Sequence, residues 1–196
     1  MNPIHQLSPA ITTMIRMDHT HVMSTFHKFH AGTSAMVKRG LVNTACIALE
    51  VHAQLEEEIF YPALREAGVQ DSVLDKSGPE HDRMKNVIAR LREMEPGDPA
   101  YDSSFMELMQ VVLHHVADEE TVLLPTAEKV LADRLRPLGA AMTRRRLELL
   151  APRSGELTVN LARGLPAAGT ALLLAGAALA GTYVARRAIG ARASRA

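Results

Sequence analysis

An all-α fold, an up-down-up-down four-helix bundle with an extra C-terminal hydrophobic helix, is what three observations on the sequence predict. No stretch of the 196 residues reads as a strand. Four stretches repeat apolar residues at helical spacing and are joined by short connections, which favours neighbouring helices running in opposite directions. One motif is written twice: residues 52–62 read HAQLEEEIFYP and residues 115–125 read HVADEETVLLP.

The elements follow in order. Ser8 and Pro9 give a cap and a first-turn proline for a helix over about 9–31, with Ile11, Ile15, Val22, Phe26 and Phe29 on one face and Gly32 after it. Thr33 or Ser34 caps a second helix, whose apolar positions Val37, Leu41, Ala45, Leu49, Leu55 and Ile59 run to about Glu66. Gly68 ends it, and Pro62 is expected to kink or loosen its last turns. Residues 69–79 read as a connector, with Pro79 opening a third helix that carries His81, Met84, Val87, Ile88 and Leu91 as far as Pro96. Asp98 and Pro99 open the fourth, with Phe105, Leu108, Val112 and Val116 leading toward Pro125. Residues 126–150 predict one or two amphipathic helices broken near Pro137, Leu138 and Gly139. The expected organisation is therefore a bundle over 1–133, a basic amphipathic linker or helix over 134–160, and a hydrophobic helix with an arginine-rich tail over 161–196.

The charges balance, 22 basic against 22 acidic residues, which argues against a nucleic-acid partner for the chain as a whole. Acids nevertheless cluster in the first 133 residues, and arginine dominates beyond them. A single cysteine, Cys46, excludes an intrachain disulfide and any cysteine-built zinc or iron–sulfur site, so a metal here would be held by nitrogen and oxygen. Cys46 reads as a small buried hydrophobe and the ten methionines as core fillers. The N-terminus lacks a basic region followed by an apolar run, so the domain is expected in the cytoplasm.

The duplicated motif carries the chemistry. Each copy is H-x3-E-E, and residues four apart lie one turn above each other, so His52 with Glu56 and His115 with Glu119 each aim an imidazole and a carboxylate at one point. The other two helices offer His19 and His81. Four imidazoles and two carboxylates with open positions suit iron, with Glu56 and Glu119 placed to bridge two metals about 3–4 Å apart. Glu57 and Glu120 are expected beside the site, His21, His27, His30 and His114 at the surface or around it, and Tyr61 in packing, because five residues after Glu56 it lies about 140° around an α-helix.

The set His19, His52-x3-Glu56, His81 and His115-x3-Glu119, with an E-E-x4-P tail after each pair, resembles the hemerythrin-like HHE cation-binding domain over about residues 8–133. The resemblance implies a non-haem centre of two iron ions, manganese being less favoured, that binds or processes a small diatomic or peroxide ligand (dioxygen, nitric oxide or hydrogen peroxide). Oxygen-carrying members use five histidines and a bridging aspartate, whereas this chain has a glutamate in both pairs. It looks more like the iron–sulfur-cluster repair and sensing members, though without the repair proteins' cysteine-bearing domain. Iron storage, donation or sensing without turnover remains the alternative, and a purely structural metal the third.

Residues 165–185 are 21 uncharged residues, about 30 Å of helix, followed by Arg186 and Arg187. They are expected to associate with a membrane, as a tail anchor or a shallow arginine-flanked segment, with a homo-oligomerising helix of small residues as the alternative.

Overall fold

The structure, a computed structural model, describes residues 8–163, and every regular element among them is helical. Helix α1 spans Ile11–His27 and α2 spans Ala35–Leu55, which continues through a π-helical turn (Glu56–Phe60) into α3 (Tyr61–Glu66). Helix α4 is Ser72–Glu93; α5 (Tyr101–Asp118) likewise continues through a π-helical turn (Glu119–Leu123) into α6 (Leu124–Val130). Then α7 (Leu135–Leu150), a 3-10 turn (Ala151–Arg153) and α8 (Ser154–Arg163) fold back onto the first helices. No helix among the described residues is long and apolar enough to cross a membrane, and segment 165–185 lies outside them.

Pro62, expected to kink or loosen its helix, instead follows a widened turn, and so does Pro125. In each copy the backbone N–H after the π-helical turn reaches five residues back, Tyr61 to the carbonyl of Glu56 and Leu124 to that of Glu119. Pro62 and Pro125 come next, where the hydrogen-bond ladder has just changed register and their missing N–H is accommodated. Single widened turns of this kind concentrate at functional sites. Gly68, with φ of 81°, ends α3 in the left-handed conformation that suits glycine, and the N–H of Val69 closes the end on the carbonyl of Leu64.

Three boundaries differ from those the sequence predicts. Helix α1 stops at His27, four residues early, and leaving the helix lets the Phe29 ring lie on Phe105 at 4.5 Å between centroids. Helix α4 begins at Ser72 rather than at Pro79, because Asp71 caps it by accepting from the Val73 N–H at 2.8 Å. Pro79 then sits inside the helix on its exposed side. There its lost hydrogen bond is outweighed by a continuous buried stripe of Leu74, Ser77, His81, Met84, Ile88 and Leu91. Pro137 does not break α7; it lies in the first turn, where no N–H is needed.

Two apolar clusters fill the interior. One gathers Ile11, Ile15, Ile47, Leu55, Phe60, Leu64, Leu74, Leu123 and Met142; the other Val22, Phe26, Val42, Cys46, Leu49, Met84, Ile88, Phe105 and Val112. On α1 and α4 the changeover from one cluster to the other falls at His19 and His81, and along the last helix of the four it falls between Val116 and Leu123, the span that holds Glu119. The candidate ligands therefore lie sandwiched between two apolar masses that exclude water from both ends.

Gly139 shows how tightly α7 seats on the start of α1. A Cβ at this position would overlap the backbone carbonyl of Pro9, whereas one at Gly155 meets nothing within 4 Å. Gly139→Ala is expected to lower unfolding free energy by about 2 kcal/mol, while Gly155→Ala stays within about 0.5 kcal/mol of the parent or gains slightly. Urea unfolding of both variants checks this, and equal stability of the two would contradict the seating of α7.

Candidate metal centre

The six residues singled out in the sequence converge. His19 comes from α1, His52 from α2, His81 from α4 and His115 from α5, while Glu56 and Glu119 are the first residues of the two π-helical turns. All six are buried, the two glutamates completely. The imidazoles form two pairs, His19 with His52 at 5.0 Å and His81 with His115 at 4.6 Å between ring centroids. Each glutamate spans both pairs. An oxygen of Glu56 lies 3.2 Å from His52 Nε2 and 3.5 Å from His81 Nε2, and one of Glu119 lies 3.3 Å from His19 Nε2 and 3.6 Å from His115 Nε2.

Behind each imidazole stands a carboxylate, and it comes from the helix before. Asp18 on α1 lies 3.4 Å from His52 Nδ1, Glu57 after α2 lies 2.9 Å from His81 Nδ1, Glu80 on α4 lies 2.9 Å from His115 Nδ1, and Glu120 after α5 lies 2.8 Å from His19 Nδ1. The four contacts close a ring from α1 through α2, α4 and α5 back to α1. A carboxylate only accepts, so in each ring Nδ1 carries a proton, and in the neutral form Nε2 turns its lone pair inward. A cation in turn faces each outer carboxylate: Arg146 for Asp18, Lys85 for Glu57, Lys76 for Glu80 and Arg16 for Glu120.

That inner surface fits a metal. His19 Nε2, His52 Nε2, Glu56 Oε1 and Glu119 Oε2 are buried without a hydrogen-bond partner, a state that costs several kcal/mol in aggregate unless a cation satisfies it (roughly 1–3 per group). His81 Nε2 and His115 Nε2 face each other at 3.1 Å. Two lone pairs so placed repel each other and are reconciled around a cation. Two groups could hold an ion, His19, His52, Glu56 and Glu119 in one and Glu56, His81 and His115 in the other, and Glu56 belongs to both.

Tyr61 is the site residue that the helical spacing misplaces. The π-helical turn between Glu56 and Tyr61 removes much of the expected rotation and carries the ring onto the ligand face. Its hydroxyl donates to Glu119 Oε1 at 2.9 Å and lies 3.3 Å from Glu56 Oε2. Burial, then the two carboxylates, push its ionisation far above the ordinary tyrosine value, so it remains a proton donor. Glu57 and Glu120, expected beside the site, are half-buried members of the outer ring, and Asp18 and Glu80 join them. The only sequence sign of the latter two is that each immediately precedes a ligand histidine. His27, His30 and His114 are exposed; His114 with Glu80 and Asp118 makes a surface group that could also hold an ion.

Without metal the two buried glutamates divide one charge. Burial and the nearby Glu119 push Glu56 well above the ordinary glutamate range. Burial acts on Glu119 too, but contact with His19 and the charges of the surrounding imidazoles outweigh it and hold Glu119 at about 2. Burial lowers His52, His81 and His115. For His19 burial is outweighed by Glu119, Glu56 and Glu120, and its value rises to about 9.

A helical protein with a buried, water-excluded histidine–carboxylate cation site is the class that fold and geometry define. Residues 10–127 match the hemerythrin HHE cation-binding domain, and the chain belongs to that family. The crystal structure of a hemerythrin HHE cation-binding domain-containing protein from Mycobacterium kansasii shares the fold with a TM-score of 0.63 at 19% identity, covering 80% of this chain and 99% of that one. A curated relative from Nostoc, named a DNA nickase, is 27% identical over 116 residues; the match takes in 58% of this chain and 32% of that protein's length.

A pH dependence follows for the metal-free protein. Between pH 6.5 and about 9 the native state holds on His19 a proton that the unfolded chain releases, the raised Glu56 acts in the same direction, and the three lowered histidines are neutral in both states. Stability is therefore expected to fall as pH rises through this window, by up to about 1.4 kcal/mol per pH unit for each such proton. Urea unfolding at pH 7, 8 and 9 measures the slope, which Glu56→Gln should make shallower. A slope that rises with pH would contradict the assignment.

Proposed function

We propose that this chain is a non-haem di-iron protein, built on a four-helix bundle, that binds or processes dioxygen, nitric oxide or hydrogen peroxide. The observation that carries the reading is the pair of histidine couples spanned by two shared carboxylates, with unpartnered Nε2 and Oε atoms turned inward. His19 and His52 would hold one iron, His81 and His115 the other, and Glu56 and Glu119 would bridge them and offset their charge. When bound, iron supplies the redox change and the open coordination positions.

The chain's own residues do the rest. Asp18, Glu57, Glu80 and Glu120 fix the imidazole tautomers, and the Tyr61 hydroxyl holds a proton 2.9 Å from Glu119, orienting that carboxylate. Beside the His19, His52 and His115 rings lies a small pocket lined otherwise by Asp18 and the apolar Val22, Leu49, Met84, Val112 and Val116. Its volume of about 10 Å³, room for about one water-sized molecule, favours a very small ligand over an organic substrate. The reading includes no nucleic acid. Loading must expel the protons on Glu56 and His19, so metal uptake should tighten as pH rises.

The same closed, proton-coupled site also suits an iron store, donor or sensor, and turnover of peroxide with the loaded protein intact separates the first reading from this one. Residues 165–185 are proposed to tether a cytoplasmic domain to a membrane.

Elemental analysis and an optical spectrum of the aerobically purified protein test the centre. About two irons per chain are expected, with near-ultraviolet charge-transfer bands that the Glu56→Ala/Glu119→Ala variant loses along with at least one iron. Folded parent protein that refuses iron would sink the proposal.

A further inference from the structure

We propose that Arg146, on a helix beyond the matched segment 10–127, is a positioning residue for the His19/His52 half of the metal centre. The C-terminal helices would thereby control one metal position and not the other. The inference rests on the two-metal reading above.

The argument begins with the outer carboxylates. Lys85, Lys76 and Arg16, the cations facing Glu57, Glu80 and Glu120, all belong to α4 or α1, inside the family segment. Asp18 differs. Its partner is Arg146 from α7, whose planar fork grips both oxygens, Nη1 to Oδ1 at 2.7 Å and Nη2 to Oδ2 at 2.6 Å. Such a fork fixes orientation as well as charge. Asp18 Oδ2 also meets His52 Nδ1, and at 3.4 Å this is the longest of the four imidazole–carboxylate contacts, the others being 2.8 or 2.9 Å. Sharing one oxygen between the guanidinium and the imidazole makes His52 the least firmly oriented of the four candidate ligands.

Packing does not compensate. A cavity of about 250 Å³ lies at this corner, between α1, α2, α7 and α8, and Asp18, His52 and Arg146 all line it together with Leu150 and Leu157. Asp18 and His52 also line the small inner pocket, so they stand between the two spaces. With a cavity behind it, the Asp18 carboxylate is held by the Arg146 fork rather than by close-packed neighbours. Removing that fork frees Asp18 to turn toward the cavity and leaves the His52 tautomer and ring plane unset.

Neighbouring Arg145 supplies the control. It ties the same helix to Glu58 at 2.7 Å and pairs with Glu148 of its own helix at 3.0 Å, and neither partner is a member of the ring. An effect due to loosening of α7 should appear in an Arg145 variant as well, whereas an effect on His52 should not.

The test is a titration of the full metal-free chain with cobalt(II), reading both stoichiometry and the ligand-field spectrum, with chelator competition for the two dissociation constants. Arg146→Met is expected to weaken one of the two positions tenfold or more while leaving the other within about twofold. Arg146→Lys should recover part of the loss, Asp18→Asn should reproduce the one-sided effect, Arg145→Met should match the parent, and Lys85→Met should weaken the opposite position. Parent protein that binds two cobalt ions, with Arg146→Met and Asp18→Asn both binding like it or losing both positions equally, overturns this inference and leaves the two-metal reading standing. Parent protein that binds no cobalt overturns both.

Discussion

Burying four imidazoles and two carboxylates at one point is the constraint on which the rest of this structure depends. Each ring must give its Nδ1 proton to an acceptor, or its orientation is lost and a buried donor is stranded. The chain solves this by a cyclic exchange in which each helix supplies one imidazole and also the carboxylate for the next helix's imidazole. No helix can leave the ring, or slide along its neighbours, without breaking two such contacts. The positions of α1, α2, α4 and α5 are therefore set by polar geometry at the centre and by apolar packing above and below it, and the two demands agree because His19, His81 and Glu119 sit where one apolar cluster gives way to the other.

The same constraint explains the π-helical turns. Glu56 and Glu119 each open one, so the extra residue falls just where the helix must present a carboxylate to two histidine pairs at once. The duplicated E-E-x4-P is the sequence trace of this arrangement. The first glutamate faces inward, the second turns out to hold a neighbouring histidine, and the proline follows the change of register.

Much of this was legible beforehand because it is local and periodic. Apolar spacing located the main helices, and the H-x3-E repeat with His19 and His81 located the residues that converge. What escaped depends on contacts that spacing does not encode. A uniform 3.6-residue period puts Tyr61 on the wrong face, because the turn before it does not have that period. The start of α4 was hidden by Pro79, whose penalty is real but smaller than the gain from burying Leu74 and Ser77 and capping with Asp71. Pro137 suggests a break by its residue type, although the same residue is harmless in a first turn. Asp18 and Glu80 carry no spacing signal of their own, since each serves a histidine on a different helix, 34 or 35 residues away.

Helices α7 and α8 add a layer to the family segment, and Arg146 brings that layer within two contacts of a candidate ligand. Whether the centre exists as proposed is decided most directly by a crystal structure of iron-loaded protein with anomalous data collected on either side of the iron edge. The account predicts two peaks about 3–4 Å apart, one against His19 and His52, the other against His81 and His115, with Glu56 reaching both. A single peak at the centre, or iron only at the surface group of Glu80, His114 and Asp118, would contradict it.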